Sequence, residues 1–220
     1  VNLCENKAVL GVSADGAFAG YCKSHYTGVH RIPEGVSFEH AALTEPLACV
    51  TYGVQNMDIS LGNFCVIIGA GAIGLMMLQL VKSSGAGKAV LVDILDYRLE
   101  LGKELGADEV INTGDSNSPY YVEDLTKKIE EMTDGKFADR VKVSICGYFF
   151  FSSVNILESR RSLIVFFGLP GETDMIKIPA LQSIFWDKTI RFSWLAPFTW
   201  PTALQALATG LGKMDKLVTH

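Results

Sequence analysis

The stretch Cys65-Val66-Ile67-Ile68-Gly69-Ala70-Gly71-Ala72-Ile73-Gly74 constrains this chain more than any other. A short apolar run rich in β-branched residues reads as a buried strand. Glycines at 69, 71 and 74 follow it, and then apolar residues recur at helical spacing from Leu75 to Lys82. Strand, glycine turn and helix in that order bring main-chain N–H groups and the positive end of a helix to one place, which suits a pyrophosphate. Gly69 permits the tight turn, Gly71 lets phosphates approach the main chain beside Ala72 and Ile73, and Gly74 lets the helix lie close on the strand. A second apolar strand, Ala89-Val90-Leu91-Val92-Asp93, ends in an acid about 20 residues on, where a ribose would be gripped. A glycine-rich strand-to-helix turn with no ligand is the competing reading.

The same alternation continues down the chain. A helix from Tyr97 to Leu105 closes at Gly106, and Glu109 to Asn112 is a third strand. After a polar loop from Gly114 to Pro119, Val122 to Met132 reads as an amphipathic helix and Val141 to Ile145 as a fourth strand. Val154 to Arg160 is expected to be helical, Leu163 to Phe167 a fifth strand, Pro179 to Trp186 a helix and Thr189 to Ser193 a sixth strand. Six strands separated by helices predict an α/β fold, a doubly wound six-stranded parallel Rossmann sheet. Right-handed connections then place the strand carboxyl ends and the glycine turn on one edge.

Ahead of that unit the pattern differs. Ala8 to Val12 and Ala17 to Tyr21 are β-type runs with Asp15-Gly16 between them, a hairpin signal. Ser37 reads as the N-cap of a short helix, and Glu45-Pro46 as a break before an apolar helix from Leu47 to Gln55. His25 and His30 suit exposed or turn positions, while Cys22, Cys49 and Cys65 read as core.

Composition narrows the function classes. A net charge of −5 over 220 residues argues against a nucleic-acid surface or a polybasic membrane anchor. The longest apolar run, Cys65 to Val81, is interrupted by three glycines and Gln79 and reads as strand plus helix, not a membrane span. Five scattered cysteines without a Cys-x-x-Cys do not make a disulfide framework and fit a reducing, cytoplasmic setting. The ends at Val1 and His220 are expected to be cut from a longer chain.

Several stretches make the chain resemble the zinc-containing medium-chain alcohol dehydrogenases, in the sorbitol, polyol and threonine dehydrogenase branch. They are Asn2-Leu3-Cys4, Asp15 to Ala19, Ile32 to Ser37, Glu45-Pro46-Leu47, Gly69 to Gly74, Leu105 to Asp108, Thr199-Trp200-Pro201 and Leu217 to His220. The resemblance implies a partial β-rich (GroES-like) catalytic domain over 1–46, an NAD-binding Rossmann domain over 47–195 and a return to the catalytic domain over 196–220. It implies NAD and zinc as cofactors, a small alcohol or polyol as substrate, and a homodimer or homotetramer paired through the sixth strand. Neither nucleic acid nor membrane is an expected partner.

The resemblance also assigns roles. Glu45 is the expected catalytic metal ligand, directly or through water, and Cys4 the last of four cysteines on a lobe zinc. Asp93 favours NAD over NADP, because a carboxylate accepts from ribose hydroxyls and repels a 2′-phosphate. Arg98 is expected near the adenine or Asp93, and also reads as a helix surface residue. Gly168 and Leu169 should border the nicotinamide and Cys146 the adenosine half; each also reads as an ordinary strand-to-helix turn. The implied function is zinc-dependent, NAD-linked oxidation of a polyol or secondary alcohol to a ketone. The alternative is a dinucleotide-binding module without metal-dependent turnover. Leu195-Ala196 stand where sorbitol enzymes carry Arg-Tyr.

Overall fold

The structure is a computed structural model that describes residues 2–144 and 158–219. Its sheet is built from β1 (Phe64–Ile68), β2 (Lys88–Asp93), β3 (Glu109–Asn112), β4 (Ala138–Val143), β5 (Glu158–Phe166) and β6 (Thr189–Phe192). All pairings are parallel and the order is β3-β2-β1-β4-β5-β6. The chain reverses its direction of travel between β1 and β4, so a crevice opens at their carboxyl ends, where open α/β sheets take ligands.

Strand alternation sorts the core into two layers. Cys65, Ile67, Ala89, Leu91, Leu163 and Val165 face a cluster shared with α2 (Thr44–Gln55), α3 (Ala72–Ser83), α4 (Asp96–Glu104) and α7 (Trp200–Ala208). Val66, Ile68, Val90, Val92, Val141, Val143 and Ile164 face the other way, toward Ile129 of α5 (Leu125–Met132). Burial on both faces is why these strands read as continuous apolar runs. The run from Cys65 to Val81 divides into β1, the glycine turn and α3, and no helix among the described residues is long and apolar enough to cross a membrane.

Several expectations need correction. The Asp15-Gly16 hairpin does not form. Instead the Val9 carbonyl accepts from the N–H groups of Val12, Ser13 and Ala14, and Phe18 and Tyr21 stand exposed. Two isolated strands with no apolar face to cover are only marginally stable, so local turn bonds prevail. Residues 2–46 contain no strand, only the one-residue Leu10–Ala14 bridge. Ser37 does cap α1 (Phe38–Ala41), accepting from the His40 N–H at 3.2 Å. Glu45-Pro46 does not break a helix: α2 begins at Thr44, and Pro46 sits in its first turn, where a missing N–H is tolerated.

The helix expected from Val122 starts at Leu125, because Asp124 caps it by accepting from the Lys127 N–H while Val122 donates to the Asn112 carbonyl. Residues 158–160 of the expected Val154–Arg160 helix belong to β5, whose register with β4 shifts between Ala138 and Arg140. The rest of that helix, Cys146-Gly147 and the Tyr148–Phe151 run lie outside the described residues. Beyond β5 come the short helix α6 (Ala180–Phe185) and β6 at the sheet edge.

Candidate dinucleotide site

Gly69 leaves β1 with φ +103°, a backbone setting that L side chains rarely adopt, and its N–H donates to the Val92 carbonyl at 2.8 Å. The turn is thereby stitched to β2. Gly71 is the N-cap of α3, and a Cβ placed on it would meet nothing within 4 Å. This is open space in front of a helix start, bordered by the first-turn N–H groups of Ala72, Ile73 and Gly74, which have no acceptor inside the helix. Gly74 is the opposite case: a Cβ there would overlap the Gly69 carbonyl. The three glycines therefore serve a turn, an open approach and a close packing contact, and the cradle fits a dinucleotide diphosphate.

Asp93 ends β2 beside this turn and is almost wholly buried. Its Oδ2 accepts from the Ala70 N–H at 2.6 Å, and its Oδ1 from the N–H groups of Ile94 and Leu95 at 2.8 and 3.1 Å. Arg98 Nη1 lies 3.8 Å from Oδ2, while its Nε donates to the Tyr97 hydroxyl. The carboxylate locks the glycine turn to the loop after β2. Two N–H donors fill Oδ1, and one acceptor site remains on Oδ2 for a further donor.

A polar network not foreseen from the sequence holds the neighbouring edge. Asp96 Oδ1 accepts from Asn112 Nδ2 and from the Ser118 hydroxyl, both at 2.6 Å, while Asn112 Oδ1 accepts from the N–H groups of Gly114 and Asp115. It ties the loops after β2 and β3 together. Its signal was Asn112 closing an apolar strand ahead of a Gly-Asp-Ser-Asn-Ser turn. At the far side of the crevice the Phe167 N–H donates to the Val143 carbonyl as β5 leaves the sheet, and Gly168 and exposed Leu169 follow. Cys146 lies outside the described residues.

The expected metal residues are not brought together. Glu45 is exposed in the first turn of α2, and its Oε1 accepts from the Cys49 thiol at 3.3 Å. Burial, then the adjacent Glu45 charge, pushes that thiol up to about 12, so it stays protonated. Cys4 is exposed. Among the described residues no three His, Cys, Asp or Glu side chains converge as metal donors, so these residues alone do not make a zinc site. Cys65 is buried as expected and Cys49 half-buried, but Cys22 is exposed, since the Ala17–Tyr21 run before it forms no strand to pack it inward. His25 and His30 are exposed; His25 caps a short turn and His30 stacks on Trp200.

Comparison with known proteins bears on this geometry. The sequence profile described as zinc-binding dehydrogenase matches residues 72–209. A sorbitol dehydrogenase of Bombyx mori is 31% identical over all of this chain, which covers 62% of that protein. A solved structure of a short chain alcohol dehydrogenase from E. coli, complexed with cofactor NADH, is 28% identical with a TM-score of 0.88 over 100% of this chain and 62% of that one. A zinc-binding dehydrogenase from Sinorhizobium meliloti, bound to NADP, is 25% identical with a TM-score of 0.87 over 98% of this chain and 62% of that one. The chain thus spans about three fifths of the length of the proteins it matches.

Proposed function

Because the chain belongs to the zinc-binding dehydrogenase family, on its sorbitol, polyol and threonine dehydrogenase side, we propose that it is an NAD-linked dehydrogenase oxidising a polyol or secondary alcohol to a ketone. The observation that carries the reading is the open face of Gly71 at the start of α3, flanked by the Gly69 turn and the buried Asp93 carboxylate. When bound, the nicotinamide accepts a hydride from the alcohol carbon. The chain's own part is to hold and orient the dinucleotide. First-turn N–H groups of α3 meet the diphosphate, Asp93 accepts from a ribose hydroxyl with the open site on Oδ2, and the Phe167-Gly168-Leu169 turn borders the nicotinamide.

In this reading 47–195 is the cofactor unit, with 1–46 and 196–220 belonging to a catalytic unit. Zinc dependence is proposed from the family, with Glu45 and Cys4 as the chain's donors. A second reading is a dinucleotide-binding module without metal-dependent turnover, favoured by the Glu45 carboxylate being engaged by the Cys49 thiol.

Titration with NADH and NADPH tests the first reading. The buried carboxylate predicts NADH binding tighter by at least about tenfold, since a 2′-phosphate would have to approach a charge it repels. Equal affinities sink the NAD assignment. Metal analysis with turnover on a panel of polyols separates the two readings: NADH binding with neither zinc nor ketone formation supports the second.

A further inference from the structure

Lys142 lies in the middle of β4 with no exposed surface, and among the described residues its Nζ has no hydrogen-bond partner. Its register neighbours are Ile67 on β1 and Val165 on β5, both apolar and fully buried. The amine reaches past them to lie over the ring of Phe167, 4.1 Å from its centroid. On the α2 side stands Gly53, where a Cβ would be 3.2 Å from Nζ and 3.1 Å from Phe167 Cδ2. The missing side chain at 53 is what leaves room for amine and ring together.

A buried donor without an acceptor calls for an explanation, because a methionine would fill the same space without that penalty. The other cations on this sheet face have acceptors. Arg140 precedes Lys142 by two residues, and Arg191 lies in the same register row; they donate to the carbonyls of Asp58 and Asn56. Lys142 is left with the π-face of Phe167, which attracts an N–H or ammonium donor more strongly when water is excluded. Phe167 is also the residue on which β5 turns into Gly168 and Leu169.

We propose that Lys142 is a positioning residue for the nicotinamide half of the dinucleotide: its amine, held over the Phe167 ring, sets the turn from Phe167 to Leu169. The assignment rests on the dinucleotide-binding reading above and adds to it a residue that touches no ligand itself.

ADP-ribose separates the two, since it carries the adenosine, diphosphate and second ribose but no nicotinamide. Affinities of the full chain for NADH and ADP-ribose are measured by calorimetry for the unmodified protein, Lys142→Met, Phe167→Leu and the double variant. Lys142→Met is expected to weaken NADH binding about threefold to tenfold while ADP-ribose stays within about twofold. Phe167→Leu should do the same, and the double variant should be no worse than Phe167→Leu alone, as for two residues acting through one contact. A Lys142→Met protein that keeps its NADH affinity, or loses both ligands alike, overturns the proposal. So does an unchanged NADH affinity in Phe167→Leu, which holds even if the lysine variant does not fold. An unmodified chain that binds ADP-ribose but not NADH overturns this inference alone, and one that binds neither overturns the dinucleotide reading with it.

Discussion

Lys142 also makes a prediction that needs no ligand. Burial drives its affinity for a proton well below that of an ordinary lysine, and Arg140 and Arg191, permanently charged on the same sheet face, offer it no compensating anion. In the unfolded chain the amine titrates near about 10.4. Between its lowered folded value and that pH the unfolded state binds more protons than the folded state, so this residue's contribution lowers stability there and the loss is recovered as pH rises toward the unfolded value. Lys142→Met removes both the linkage and the orphaned donor. It is expected to raise stability by about 1–3 kcal/mol at pH 7, with the gain shrinking at pH 9 to 10. Urea midpoints of the two proteins at both pH values check this; a gap that does not narrow means the amine is charged in the folded state.

Among the elements, the β1 turn into α3 is the most constrained, and Gly74 is its sharpest test. A methyl group at 74 would collide with the Gly69 carbonyl, a backbone atom that cannot swing aside. Gly74→Ala is therefore expected to cost about 1–3 kcal/mol by overpacking and to weaken NADH binding with it, because α3 must lift off β1 and carry its N–H groups away. Thermal unfolding and an NADH titration read the two effects. This element was legible in the sequence because its spacing, its glycines and the acid after β2 agree at every level. The 9–21 region was not, since a period-two pattern reports what a strand would bury but not whether a partner sheet is there. The start of α5 is set by the Asp124 cap and not by the apolar Val122 that begins the amphipathic pattern. The Phe167–Lys142–Gly53 contact joins residues far apart in the chain, which no local pattern announces, and of the carboxyl-edge network only Asn112 and the turn after it show locally, not their partner Asp96.

At the scale of the whole molecule, the sheet has an unfinished side. Among the described residues β6 pairs with β5 alone and ends the sheet, Phe192 on it is 64% exposed, and Leu181, Ile184 and Phe185 of α6 are exposed by 66%, 74% and 74%. An edge strand with free N–H and C=O groups beside exposed large apolar side chains invites pairing with another chain. A second copy related by a two-fold axis satisfies both needs at once, since one β6 can run against another while the α6 side chains cover each other. The chain is proposed to be a homodimer, or a homotetramer built from such dimers, through this edge. Phe192→Lys places a charge at the carboxyl end of the strand, and Ile184→Lys places one on α6. Together they should convert the assembly to monomer on sedimentation, while the turns after β1 and β2 that would hold the diphosphate and ribose, which lie across the sheet from β6, are left intact. An NADH affinity that survives the loss of the dimer would place the cofactor within one subunit. Sedimentation unchanged by the two lysines would mean that the subunits, if they pair, do so elsewhere.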